Sequence, residues 1–425
     1  DVALGMIAAM EKSPGAKHPI NLGSGTGYRI KDLVETIVNN LENKPQIHWD
    51  TTKPSGDKKR LFDIKRAKET INWSPTISLN DGIKETMEWY QKNKDIVNKR
   101  YNVFTDNKKE KKKVLVCGAT GFIGRNIAES LCENEEYEVY GTYLKSEPLT
   151  NPKIKMIKIE LTNKEEVDKI MQGKDIIIQA AATTSGSKDI LTRPYIHVAD
   201  NAIMNSVIFR SAHDHKVGHV VFFSCSVMYQ SSPIPLKESD FDASKEIFKS
   251  YFGVGWTKVY IEKMCEFYSR LGNTKYTTIR HTNVYGPHDK YDLEKSHVFG
   301  ATMTKVLTSK DNKLRVWGTG EEERDLIYVA DLVDFVEKAI KMQTTPFELV
   351  NVGAGKAVSI RNLAERIINH SRLPIEMEFD TSKPTIKTSL SLNCEKAKNV
   401  FGWECKTPLD EGIRQTMDWY RKNLL

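Results

Sequence analysis

Val114-Leu-Val-Cys-Gly-Ala-Thr-Gly-Phe-Ile-Gly124 is the stretch that decides the fold. Val114 to Val116 is a short apolar run of the kind found in a buried strand. Gly118, Gly121 and Gly124 follow at G-x-x-G-x-x-G spacing, and the chain continues as a helix from Asn126 to Leu131. Strand, glycine-rich turn and helix together seat a pyrophosphate on a helix N-terminus. Glycine lets the backbone come close to phosphate oxygens where a Cβ would intrude. Thr120, Phe122 and Ile123 lie inside the same turn and are expected to line the cofactor. More than a hundred residues precede this turn, although a dinucleotide-binding unit ordinarily opens on it.

Working outward, strand and helix alternate from residue 113 onward. Glu138–Thr142, Lys155–Ile159, Asp175–Ala182, His219–Ser226 and Tyr276–Asn283 read as strands two to six. Ala202–Ala212 and Lys258–Leu271 read as helices. This order predicts an α/β fold, a Rossmann doubly wound parallel sheet with a smaller C-terminal α/β substrate domain. Ligands in such sheets sit beyond the C-terminal strand ends. Those ends are Gly118, Ala181, Ser224 to Ser226 and Asn283, with Ala180 and, past strand three, Leu161 beside them.

The residues before the turn become intelligible beside the C-terminus. Asn21-Leu-Gly-Ser-Gly matches Asn351-Val-Gly-Ala-Gly, Asp50-Thr-Thr-Lys-Pro54 matches Asp380-Thr-Ser-Lys-Pro384, and Trp89-Tyr90 matches Trp419-Tyr420. The offset is constant at 330 (351 − 21, 419 − 89), and Asp1 falls opposite Asp331. One supersecondary block is present twice. Residues 1–93 are thus expected to be a partial duplicate of the tail, holding two helices and two strands. Residues 94–112 read as a basic linker, 113–285 as the NAD(P)-binding domain with some later segments returning to it, and 286–425 as the substrate-binding part. The first block is either the tail of one enzyme joined to a whole second one, or an extra lid kept to dock on a neighbour. A block of this size folds alone only marginally, so it is expected to pack on something.

Composition narrows the function. Hydrophobic residues make up 39% and charged residues 28%, which fits a globular chain. No apolar run approaches the ~18 residues that span a bilayer, so no membrane partner is expected. Six cysteines lack metal-ligand spacing, so no metal is expected, and with the Rossmann pattern they point to a reducing cytoplasm. The net charge of +7 suits an anionic ligand such as a nucleotide. Lys108 to Lys113 is basic but has no interleaved aromatics, which argues against nucleic acid.

The glycine turn, Ala180-Ala181, Asn201, Ser224 to Tyr229, Lys258, Asn283-Val-Tyr-Gly-Pro287 and Arg324 together resemble the extended short-chain dehydrogenase/reductase family, which acts on nucleotide sugars. Asn283 to Asp289, Ser296-His-Val298 and Val316-Trp-Gly-Thr-Gly320 are most similar to its GDP-L-fucose synthase branch. Trp49 to Gly56, Arg60 and Asp63 resemble the tail of that branch still better. The resemblance implies a nucleotide-sugar epimerase or reductase using NADP or NAD. The absence of an acid in Gly141-Thr-Tyr-Leu-Lys145 favours NADP, with Tyr143 lining the site and Lys145 or Arg125 facing a 2′-phosphate. It implies a Ser/Thr, Tyr, Lys relay, with Lys258 as the lysine, bonding the nicotinamide ribose. The Tyr position holds Val254, which transfers no proton, and Tyr251 lies seven residues before Lys258, brought closer by a bend or a non-helical start near Gly253 and Gly255. The Ser/Thr position holds Cys225, flanked by Ser224 and Ser226. The branch's epimerisation cysteine falls on Val227, His297 matches its general acid, and Lys305 stands where an arginine is usual. Asn283, His297, Lys305 and Arg324 are the expected substrate contacts. Leu390 and Asn393 replace what the first block keeps as Arg60 and Asp63, which suggests that the first block lends Arg60 to a site in another subunit. A 4,6-dehydratase or 4-epimerase is the alternative chemistry, although Ser224-Cys-Ser226 lacks a dehydratase's acid pair. A catalytically silent nucleotide-sugar-binding protein is the other alternative. A homodimer is a family-level expectation.

Overall fold

The computed structural model describes residues 1–13, 15, 18–50, 59–94, 111–183, 194–293, 296–382 and 389–425. Residues 95–110 of the expected linker and most of Trp49 to Gly56 lie outside the described residues, and Lys112, expected in the linker, opens β1. The chain divides into two units, Asp1–Lys108 and Lys109–Leu425.

In the second unit, β1 (Lys112–Cys117) leads through the glycine turn into α5 (Phe122–Leu131). β2 (Tyr137–Tyr143), β3 (Ile154–Lys158), α6 (Lys164–Met171), β4 (Ile176–Gln179), α7 (Ala199–Asp214), β5 (His219–Phe223), α8 (Phe252–Ser269) and β6 (Lys275–His281) follow. The later elements are β7 (Asn283–Tyr285), α9 (Val298–Leu307), β8 (Lys313–Trp317), β9 (Glu323–Tyr328), α10 (Val329–Met342), β10 (Phe347–Val352), β11 (Ala357–Ser359), α11 (Ile360–Ser371), β12 (Glu376–Asp380), α12 (Glu395–Phe401) and α13 (Leu409–Leu424).

The seven-stranded sheet runs β10-β6-β5-β4-β1-β2-β3, with every pairing parallel. It is the expected Rossmann sheet, extended by β10 from the far end of the chain. α5 forms because Gly124, Ile127, Ala128 and Leu131 recur on one face and are buried there. That face packs on Val114, Val116 and Val139 of the sheet and on Leu332 and Phe335 of α10. On the opposite face, Ile208 and Phe209 of α7 and Ile261 and Cys265 of α8 cover Leu115, Ile177 and Val220. Two smaller sheets, β11-β9-β7 and β12-β8, are built from the later part of the chain.

Four strand expectations need correction, the first being that β5 stops at Phe223 and does not run on to Ser226. β4 stops at Gln179, its last rung opposite Cys117, and does not run on to Ala182. β6 ends at His281, and Asn283 opens β7 against Leu326 of β9, so Asn283 starts the second sheet and does not close the sixth strand. β3 lies one residue earlier than read. The helix expected from Lys258 begins at Phe252 and is continuous through Gly253 and Gly255. Those glycines allow close packing: a Cβ on Gly253 would lie 3.0 Å from Val198, and one on Gly255 3.0 Å from Ile247.

The first unit holds α1 (Val2–Lys12), α2 (Ile30–Asn39), α3 (Lys65–Ile71) and α4 (Leu79–Lys92). Its described residues contain four helices and no strand, against the expected two and two. Ala67, Ile71 and Trp73, with Ala8, Ala9, Ile20 and Leu22, form its small core.

Candidate active site

The cofactor cradle is built at the C-terminal end of β1. Gly118 has φ +75°, and a Cβ there would lie 2.7 Å from the backbone of Ala181. A Cβ on Gly124 would lie 2.3 Å from the Gly118 carbonyl oxygen. Gly121 caps α5, and its N–H donates to the Gly118 carbonyl at 3.0 Å. Gly118 N–H donates to Thr142 Oγ1 at 2.8 Å, which ties the turn to β2. The turn therefore closes only with glycines, and it leaves the first amides of α5 directed at an anion. The chain fits a dinucleotide here. Thr120 Oγ1 lies 3.1 Å from Ser146 Oγ, Phe122 and Ile123 pack against the core, and Leu161 is buried. Tyr143 ends β2, with Lys145 exposed just beyond it. Arg125 forms an ion pair with Glu129 at 2.8 Å on the surface of α5. Asn201 is buried and closes the far wall, accepting from Thr183 N–H at 2.9 Å and donating to the Thr183 and His197 carbonyls.

Beyond β5 the expected catalytic residues come together. Lys258 Nζ donates to the Phe223 carbonyl at 2.7 Å and lies 4.8 Å from the Phe222 ring. Burial lowers its pKa, against the field of Cys225 and Glu262. Cys225 and Tyr251 pack on one apolar cluster around Met228 and Ile247, and Leu390 joins them. Burial raises the Cys225 thiol pKa, with Lys258 opposing. Ser226 is buried beside it. Ser224 donates to Glu262 Oε1 at 2.6 Å, so its hydroxyl is already committed.

Tyr251 closes a single 3-10 turn, Lys249–Tyr251, and serves as the N-cap of α8. The helix neither bends nor starts at Gly253 and Gly255; a 3-10 turn ahead of Phe252 places Tyr251. Burial raises its pKa, while Arg324 opposes the rise and Cys225 adds to it. Tyr251 thus lies within electrostatic reach of Cys225 and Arg324, and Cys225 within that of Lys258. Arg324 Nη1 donates to the Glu323 carbonyl at 2.7 Å, and burial lowers its pKa. Asn283 Nδ2 donates to the Asp325 carbonyl at 3.3 Å.

His297 is the N-cap of α9 and retains solvent access, yet the surrounding protein desolvates it enough to lower its pKa. Lys305 lies away from this group: its Nζ donates to the Arg315 carbonyl at 3.0 Å and sits over Trp317.

Two features escaped the sequence reading. His281, at the end of β6, lies in the field of both Lys258 and His297, and burial first, then those charges, depress its pKa to about 4. Its Nδ1 is 2.7 Å from the Thr282 carbonyl. Beneath the site, Arg280 holds Glu262 in a bidentate pair (3.0 and 2.7 Å) and donates to Tyr229 Oη at 2.8 Å. Tyr229 Oη in turn donates to Asn351 at 2.9 Å. Glu262 sits four residues after Lys258 on the same helix face, which is the one trace of this network in the sequence.

Residues 114–353 match the sequence profile of the NAD dependent epimerase/dehydratase family. The chain belongs to that family. The membership makes it an NAD(P)-dependent enzyme of the oxidoreductase type, built on the cradle just described. The chain is 29% identical over 320 residues to GDP-L-fucose synthase 1 of Arabidopsis thaliana, covering 73% of this chain and 94% of the relative. It is 25% identical to GDP-L-colitose synthase of Yersinia pseudotuberculosis, covering 72% and 97%. Among solved structures, UDP-glucose 4-epimerase of Thermotoga maritima superposes with a TM-score of 0.66 at 24% identity, covering 74% of this chain and all of that one. This last likeness shows the fold. No helix among the described residues is long and apolar enough to cross a membrane, and none of their His, Cys, Asp and Glu cluster as metal ligands. All six cysteines are free.

Proposed function

We propose that the chain reduces or epimerises a sugar nucleotide at a 4-keto or hydroxyl carbon, in the manner of a GDP-L-fucose synthase, with Tyr251 supplying the proton that Val254 cannot. The observation that supports this is that Tyr251 and Cys225 pack on one cluster beyond β5, with Lys258 in the field of Cys225 and Arg324 in that of Tyr251. Bound in the cradle, the dinucleotide exchanges a hydride with the sugar carbon. The protein's own part is to exchange a proton with the adjacent oxygen. Tyr251 is protonated at neutral pH and so can donate when charge develops on the sugar oxygen; burial, which raises its pKa, works against that transfer, and the field of Arg324 works for it. Arg324 presents a planar fork for diphosphate oxygens, and His297 is a second group able to exchange a proton. The exposed Lys145 and the lack of a carboxylate at the end of β2 favour NADP. Free cysteines throughout favour the cytoplasm, and the homodimer remains a family-level expectation.

NADPH oxidation with a panel of 4-keto sugar nucleotides tests the reading. Turnover in the wild type and a loss of about a hundredfold or more in kcat for Tyr251→Phe are expected. Unchanged turnover in Tyr251→Phe removes Tyr251 from the chemistry. The second reading, a silent binding protein, rests on Val254 standing one helical turn before Lys258. Tight NADPH binding with no turnover on any sugar would establish it.

A further inference from the structure

His281 is the last residue of β6 and pairs with Val352 of β10. β6 is the third strand from β1 on the side away from β2, about 14 Å across the sheet at ~4.8 Å per strand. After Thr282 the chain enters β7, a strand of the smaller sheets, at Asn283. His281 therefore stands at the seam between the main sheet and the smaller ones, on the far side of β5 from the glycine turn.

The two nitrogens of its ring are in different states. Nδ1 lies 2.7 Å from the Thr282 carbonyl oxygen. A carbonyl oxygen only accepts, so Nδ1 carries the hydrogen. Burial, joined by the charges of Lys258 and His297, holds the ring neutral, against the pull of that carbonyl. A neutral ring with its hydrogen on Nδ1 has a lone pair on Nε2. Nε2 has no hydrogen-bond partner among the described residues and is not sealed from solvent. Phe223 flanks the ring edge to face, with centroids 6.2 Å apart, and Lys258 Nζ is held on the Phe223 carbonyl at 2.7 Å. The bond to Thr282 and the contact with Phe223 fix the ring, and with it the direction of the lone pair.

These features select a ligand atom by its chemistry. A lone pair repels an oxygen that only accepts, such as a keto group or a carboxylate. Lys258 and His297 disfavour a cation. A neutral donor is left, and on a sugar that donor is a hydroxyl.

We propose that His281 binds the sugar of the substrate, with Nε2 accepting a hydrogen bond from one hydroxyl, and that it thereby selects sugar nucleotides carrying that hydroxyl over their deoxy counterparts. This rests on the sugar-nucleotide reading given above. The carboxamide of the cofactor is the other neutral donor in such a site. The position of β6 beyond β5, leading into β7, favours the sugar. A site built to bond a hydroxyl rejects the analogue lacking it, because its own polar atom is then left unpaired.

The test uses the full-length chain with saturating NADP⁺. GDP-, UDP- and dTDP-linked hexoses, each with its monodeoxy counterparts, are titrated by calorimetry, and NADPH affinity is read separately. In the wild type one monodeoxy sugar is expected to bind about tenfold or more weaker than its parent. His281→Leu and His281→Phe, which lack the acceptor, are expected to bind that pair alike. His281→Gln, whose amide oxygen reaches the Nε2 position, is expected to keep the preference. NADPH affinity is expected to be unchanged in all three. If neither apolar variant folds, His281→Asn, whose amide ends short of Nε2, takes their place. No preference in the wild type, or the same preference in the variants without the acceptor, overturns the proposal. So does a tenfold loss of NADPH affinity with the sugar preference kept, which gives the acceptor to the cofactor. Turnover is scored apart: selective binding without NADPH oxidation on any 4-keto sugar sinks the catalytic reading and upholds this one, whereas failure of every sugar to bind overturns both.

Discussion

Replacing Arg280 with methionine tests the support beneath the site. Arg280 and Glu262 are each 4% exposed at the side chain and meet through two parallel hydrogen bonds of 3.0 and 2.7 Å. Arg280→Met keeps most of the volume but leaves the Glu262 carboxylate buried without its counter-ion, and Tyr229 Oη loses a donor. Breaking one side of such a pair costs about 3–5 kcal/mol. For a unit of this size that lowers Tm by on the order of 10 °C. The assay is thermal unfolding of the full chain by circular dichroism, reading the transition that NADPH shifts upward. Glu262→Leu combined with Arg280→Met removes both charges, and most of the loss is expected to return, a coupling of about 2–3 kcal/mol in the double-mutant cycle. A loss below about 1 kcal/mol for Arg280→Met, or strictly additive losses in the double variant, would refute the claim that the pair is a desolvated unit. The geometry of Ser224 depends on the same carboxylate.

Three further outcomes follow from the structure. Gly124→Ala would place a methyl group 2.3 Å from the Gly118 carbonyl oxygen, so NADPH affinity is expected to fall by about tenfold or more in a fluorescence titration; unaltered binding would mean that the cradle lies elsewhere. His219 is buried 2.8 Å from Thr277 Oγ1, and burial, then Lys275, depress its pKa to about 4, below the 6.5 of an unfolded histidine. The unfolded chain therefore takes up the proton first as pH falls, so stability is full above pH 6.5 and declines by about 3 kcal/mol toward pH 4. His219→Gln is expected to flatten that slope in urea titrations, and parallel curves for the two proteins would contradict it. Asp331→Ala strips the acceptor from two amides and is expected to cost about 1–3 kcal/mol in urea unfolding of the second unit, against no change if those amides find water.

Much of the molecule was legible in the residues. The G-x-x-G-x-x-G turn after an apolar run specified the cradle, because the backbone can close there only without side chains. Strand and helix alternation specified the parallel sheet, and the constant offset of 330 exposed the repeat. These are local signals, since each depends on residues within one turn, one period or one copied block. Strand ends were less legible: Asn283 leaves the main sheet because β9 is there to receive it, which its own residues do not state.

Tertiary structure decided the rest. That β10 completes the Rossmann sheet from the far end of the chain depends on an edge vacant beside β6. Tyr251 owes its place beside Cys225 to a 3-10 turn before α8, where the sequence left open a bend or a non-helical start near Gly253 and Gly255. His281 and the Glu262–Arg280 pair join the site through strand register, across sequence gaps that no motif spans. The two copies of the tail show the division most plainly. The same local sequence folds the same helices and caps twice, but its strands exist only where β6, β8 and β9 are present to pair with them, because a strand's hydrogen bonds belong to its neighbour.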